Sequence, residues 1–130
     1  VKTVTGIDGK EYKWVIKTKK SKPSKLHSAV LEVVKDVYPN YKILEEVRLF
    51  GSGNRDLYAD IMVVSADVVI EVQGAQHNNY TQHFHGDIVQ YSKSKARDKN
   101  KKLWCELNGY TFIECNYDEG KDEWRNKLVQ

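Results

Sequence analysis

Apolar residues recur at helical spacing through Leu26, Val30, Val33, Val34 and Val37. Ser24 stands in front as an N-cap and Pro39 behind as a stop, so the pattern predicts a first helix. The period then changes. Ile43 to Leu49, Leu57 to Val64 and Val68 to Val72 are short apolar-rich runs separated by Gly-Ser-Gly-Asn and by Ser65-Ala66-Asp67, which predicts three strands in a meander. Val68-Val69-Ile70 is continuously apolar, as suits a central strand covered on both faces. Helical spacing returns from Asp87 to Asn108, with Ile88, Ser92, Ala96, Leu103 and Leu107 predicted on the buried side and Gly109 as the stop. Tyr110 to Cys115 reads as a fourth strand and Asp122 to Leu128 as a closing amphipathic helix. Ahead of all these, Asp8-Gly9 lies between two β-rich stretches and signals a hairpin.

Helix, three strands, helix, strand, helix is the order of an α/β domain, a central mixed sheet flanked by helices. With 130 residues, 40% of them hydrophobic, the chain can bury one ordinary core. Its expected organisation is a β-ribbon and basic linker over 1–23 and a globular unit over 24–130. A chain that opens on valine is expected to be a piece of a longer protein. Cys105 and Cys115 lack the spacing of a disulfide framework or a zinc site, which suits a reducing cytoplasm. No apolar run is long enough to cross a bilayer and no signal peptide is evident, so a cytoplasmic protein without a membrane partner is expected.

The net charge of +3 becomes informative through its distribution. Lys17, Lys19, Lys20, Lys22 and Lys25 crowd one segment; Lys93, Lys95, Arg97, Lys99, Lys101 and Lys102 crowd another. Such runs are either solvated faces or the footprint of a polyanion.

Against that background the acids stand out. Asp60 lies within the second strand of the meander and Glu71-Val72-Gln73 closes the third, so an acid on one strand faces an acid-x-polar triplet on its neighbour. Two carboxylates, with the Val72 backbone carbonyl as a third oxygen, would suit Mg²⁺ and metal-assisted hydrolysis of a phosphodiester. The competing reading makes Glu71 a strand-edge carboxylate paired with a lysine and Asp60 a solubilising residue. A charge ending a buried strand is costly unless it is paired or holds a metal. His77 follows Gly74, which permits a sharp turn, and is a candidate general base; His85 is a candidate phosphate contact and His83 a surface histidine. Zinc at these histidines matches no strong spacing. Asp98, on the long helix, either orients His77 or a water or forms a helix-face salt bridge. Glu45 and Glu46 are adjacent on the first strand, and Glu45 shares parity with Ile43, Val47 and Leu49, which predicts Glu45 as the inward, site-facing acid and Glu46 as solvent-facing or paired with a basic neighbour.

Leu57-Tyr58-Ala59-Asp60, Val69 to His77, Ala96-Arg97-Asp98-Lys99 and Leu107-Asn108-Gly109-Tyr110 together resemble the PD-(D/E)xK superfamily. More closely they resemble its branch containing very-short-patch mismatch-repair endonucleases and the phage-type homing endonucleases called EDxHD. The resemblance spans roughly Ser24 to Arg125. It implies a restriction-endonuclease-like core whose first acid is Asp60, whose triplet is Glu71-Val72-Gln73, whose histidine is His77 and whose final acid is Asp98, with Glu45 or Glu46 as the leading glutamate. Gln73 stands where the superfamily has lysine, which shifts the base role toward His77. The cysteine set of the mismatch-repair enzymes' structural zinc is missing, so the homing branch fits better. The resemblance further implies double-stranded DNA as substrate, Mg²⁺ as cofactor, additional DNA-binding modules, and a bacterial or phage-infected host. Cutting both strands with one small site predicts a homodimer on DNA. Two alternatives stay open: a mismatch- or junction-nicking repair enzyme, and a catalytically silent DNA-binding module.

Overall fold

The computed structural model describes residues 2–74 and 88–129. Two strands, β1 (Lys2–Thr5) and β2 (Glu11–Trp14), form the expected hairpin, with Gly9 taking the left-handed conformation (φ 83°) at its turn. The main elements follow in chain order: α1 (Lys25–Val37), β3 (Ile43–Leu49), β4 (Leu57–Val63), β5 (Val68–Gln73), α2 (Ile88–Asn108), β6 (Thr111–Asn116) and α3 (Lys121–Leu128). Ser24 caps α1 as its sequence position predicts, its hydroxyl accepting the His27 N–H at 3.0 Å.

Strands β3 to β6 make one mixed sheet in chain order, antiparallel from β3 to β5 and parallel between β5 and β6. The parallel pair needs a crossover, and α2 supplies it. Helices cover both faces. Val30, Val33 and Val34 of α1 and Trp124 and Leu128 of α3 pack on Ile61, Val63, Val68, Ile70 and Cys115. On the other face Trp104 and Cys105 of α2 meet Val47, Leu49, Ala59, Met62 and Val69, joined by Val4 and Trp14 of the ribbon. Strand β5 is buried on both faces, as its unbroken apolar run predicts.

Strict alternation along β3 and β4 fails at one level of the sheet. Ile43 packs toward α1 whereas Val47 and Leu49, of the same parity, pack toward α2. In β4, Ala59 faces α2 whereas Ile61 and Val63 face α1. The residues between are Glu46 and Asp60. Glu46 has φ 52°, which rotates the strand, and the ladder breaks there between Glu45–Ile61 and Val47–Ala59 without an inserted residue. Glu45 therefore points to the α1 side, away from the face of Val47 and Leu49 with which its parity groups it.

Helix α2 also presents a different stripe from the predicted one. Ser92 and Ala96 are exposed, as are Leu103 (39%) and Leu107 (47%). The inward face is Lys101, Trp104, Cys105 and Asn108, itself at i, i+3, i+4, i+7 spacing. Hydrogen bonds fix this rotation. The Trp104 indole donates to the Phe50 carbonyl at 2.9 Å, and the Asn108 amide accepts from Thr5 N–H and donates to the Thr5 carbonyl.

Both cysteines are buried and free, and burial pushes each thiol up to about 12. Since the thiolate is the reactive form, neither should react with an aromatic disulfide reagent at about pH 8 in the native protein, and both should react in denaturant. Rapid labelling of the folded chain would contradict this packing. No helix among the described residues is long and apolar enough to cross a membrane.

Candidate active site

Strands β4 and β5 pair through backbone hydrogen bonds only from Val63–Val68 to Ile61–Ile70. Beyond that level the strands part and two carboxylates take over the backbone donors. Asp60 N–H donates to Glu71 Oε2 at 2.9 Å, and Val72 N–H donates to Asp60 Oδ2 at 2.8 Å. Donors that the ladder would have satisfied are thus satisfied by the acids. The parting of β4 and β5 lies at the same level of the sheet as the irregularity at Glu46, and there Asp60 stands beside Glu71.

Glu71 is 3% exposed. An isolated carboxylate so deep would be strongly disfavoured, and α2 supplies its counter-ion: Lys101 Nζ lies 2.6 Å from Glu71 Oε1. Burial pushes the Glu71 carboxyl up to about 7, with Lys101 opposing the rise and Asp60 adding to it. Burial works against the Lys101 charge too, yet Glu71, Asp60 and Asp98 together hold its ammonium above the ordinary lysine value. Both shifts favour the protonated forms: Lys101 keeps its ammonium, and the Glu71 carboxyl loses its proton only at about pH 7, above which the pair is ionic. Asp98 sits one turn before Lys101 on α2 and belongs to this electrostatic group.

Sequence reading places a neutral Gln73 in the position of the superfamily lysine. The structure puts an ammonium at the Glu71 carboxylate from another element. Lys101 was concealed in a basic run, and its signal lay in the helical spacing it shares with Trp104, Cys105 and Asn108. Gln73 points to the α2 face, buried, its amide donating to Glu114 Oε2 at 3.0 Å; its own carbonyl oxygen has no partner among the described residues.

Asp60 and Val72 line an open cleft of about 750 Å³ on the α1 side of the sheet. Glu45 and Glu46 line it as well, so Glu46 is not simply solvent-facing. Burial and the nearby Asp60 raise the Glu46 carboxyl, with Lys19, His27 and Lys101 opposing the rise. The opposite wall is residues 18–24, including Lys19, Lys20 and Lys22. This strap runs along the outer edge of β3: Arg48 N–H donates to the Lys17 carbonyl at 2.8 Å, Lys19 N–H donates to the Glu46 carbonyl at 3.1 Å, and Thr18 bridges Val47. Lys19 Nζ also stands 4.5 Å from the centre of the Tyr58 ring. The cleft thus has acids on its sheet side and lysines on its strap.

His27, on the first turn of α1, is a cleft residue that the sequence pattern did not single out. Its Nε2 lies 2.8 Å from Glu45 Oε1. His77, His83 and His85 lie outside the described residues. Among the described residues no three His, Cys, Asp or Glu groups close on one point. Asp60, Glu71 and the Val72 carbonyl supply oxygen donors, the donor type that hard divalent ions such as Mg²⁺ take.

No protein-family model and no solved structure matches the chain. The chain is 32% identical over 66 residues to uncharacterized protein 307L of Invertebrate iridescent virus 6. That similarity covers 51% of this chain and 34% of the viral protein, so the chain spans about a third of the protein it matches.

Proposed function

We propose that the chain is a Mg²⁺-dependent DNA endonuclease domain with a PD-(D/E)xK core, of the phage homing type. The observation that carries this reading is the parting of β4 and β5 at Asp60 and Glu71, with Lys101 on Glu71 and a lysine-walled cleft at Asp60. Asp60, Glu71 and the Val72 carbonyl would hold the metal. Bound there, Mg²⁺ would neutralise charge on the phosphate and make an attacking water easier to deprotonate. Lys101 opposes the rise that burial imposes on the Glu71 carboxyl and is the counter-ion of its ionised form. Lys19, Lys20 and Lys22 contact backbone phosphates, which position a duplex without reading its sequence. His77 takes the proton of the attacking water, with Gln73, Asp98 and His85 in support. Sequence recognition then falls to further modules or to a second copy.

Supercoiled plasmid should be nicked or linearised in Mg²⁺ and left intact in EDTA, while retardation of the same DNA persists in EDTA at low salt. The form of the product reports whether one strand or both are cut. A preference for mismatched or branched duplexes would favour a repair nickase. The near-complete burial of Glu71, with both oxygens already engaged, favours a second reading, a silent DNA-binding module. Retardation without a metal-dependent product would establish it in place of the nuclease.

A further inference from the structure

The cleft holds a His–Glu pair whose histidine has no part in the nuclease reading. His27 and Glu45 come from different elements, α1 and β3, and meet at 2.8 Å in the wall of the cleft that contains Asp60. The histidine side chain is 10% exposed and the glutamate side chain 44% exposed, so the ring is largely enclosed while its partner reaches solvent. Ser24 fixes the helix turn that carries His27, through the capping bond to the His27 N–H. A carboxylate on one ring nitrogen orients an imidazole and leaves the other nitrogen to exchange protons, and an imidazole does so near neutral pH. The groups facing the pair are Glu46 on β3, Asp60 on β4 and Lys19, Lys20 and Lys22 on the strap.

Hydrolysis of a DNA phosphodiester needs two proton transfers. A water loses a proton as its oxygen bonds to phosphorus, and the bridging oxygen that departs, taken here as the 3′ oxygen, gains one as its bond to phosphorus breaks. Acids dominate the sheet side of the cleft, and none of them is suited to give up a proton there once ionised. Resting on the nuclease reading, we propose that His27, oriented by Glu45, is the general acid that protonates the departing 3′ oxygen. The imidazolium Nδ1 gives its proton to that oxygen, the P–O3′ bond electrons stay with oxygen as a hydroxyl, and the neutral ring regains a proton from solvent. This assigns the acid to a different part of the chain from the base, on the α1 side of the cleft.

A sulfur leaving group needs no such proton, which gives the test. A duplex that the wild-type chain cuts is remade with sulfur replacing the 3′ bridging oxygen at the cut position. His27→Gln retains a hydrogen-bond donor toward Glu45 but cannot act as an acid; Glu45→Gln retains the histidine but removes its orienting charge. We expect His27→Gln to slow cleavage of the oxygen-linked duplex by about 10²-fold or more, a general acid's usual contribution, and the sulfur-linked duplex by less than about 3-fold. Glu45→Gln should show the same selective loss to a smaller degree. Thermal midpoints and binding of uncut duplex in EDTA should match wild type for both variants. Equal slowing of both duplexes, or no slowing of either, overturns the assignment and leaves the nuclease reading intact. A variant that fails to fold hands the decision to the other. No cleavage by wild type overturns the nuclease reading and this assignment with it.

Discussion

Asp60→Asn should lower cleavage of plasmid DNA by roughly a thousand-fold, about 4 kcal/mol of transition-state stabilisation, while leaving duplex binding and the unfolding midpoint near wild type. The choice of asparagine follows from the site. Asp60 accepts the Val72 N–H through one oxygen, and an amide oxygen can accept the same bond, so the parting of β4 and β5 is retained. What disappears is the negative charge on the cleft. Alanine would remove both and confound an electrostatic loss with a structural one. Single-turnover cleavage in Mg²⁺ beside binding in EDTA reads the two quantities separately, and undiminished cleavage by the variant would remove Asp60 from the mechanism.

Lys101→Met should lower the unfolding free energy by about 3–5 kcal/mol near pH 8, since it strands a buried carboxylate without a counter-ion. Methionine fills most of the same volume, which isolates the charge. The effect carries a pH signature. In wild type the Glu71 carboxyl is raised from 4.5 to about 7, so across that window the folded chain holds a proton that the unfolded chain releases. This group's contribution to stability therefore falls as pH rises from 4.5 to 7. Without Lys101 the carboxyl rises further. The variant's deficit should then be largest above about pH 7 and shrink toward pH 5, where a neutral acid needs no partner. Urea unfolding at both pH values measures it; an equal deficit at each would assign the loss to packing instead.

The order of elements was readable because the period of the apolar pattern changes between helix and strand and turn residues mark most of the boundaries. Strand β5 was legible for the same reason, as was the pairing of an acid on β4 with the triplet ending β5. Alternation, however, assumes that each strand keeps one face inward throughout. Glu46 violates that assumption with a left-handed backbone that no neighbouring glycine announces, so the orientation of Glu45 could not be obtained by counting in twos. Lys101 was hidden for a different reason. A lysine in a basic run looks solvated, and only its place on the Trp104 and Asn108 face reveals that its stem passes inward. His27 carries no motif at all; its partner, 18 residues along the chain, becomes its neighbour only when α1 lies across the sheet.

The strap that walls the cleft has a second consequence. A sheet whose outermost strand is bare offers its unpaired backbone to any passing chain, and β3 is the edge strand where that could happen. Residues 17–19 already occupy part of that margin, through the Lys17 carbonyl and the Lys19 N–H. They act there as a built-in guard against strand-to-strand coalescence, and the charged side chains they bring make the guarded margin repel its own kind. Two copies of the chain can thus come close without their sheets fusing.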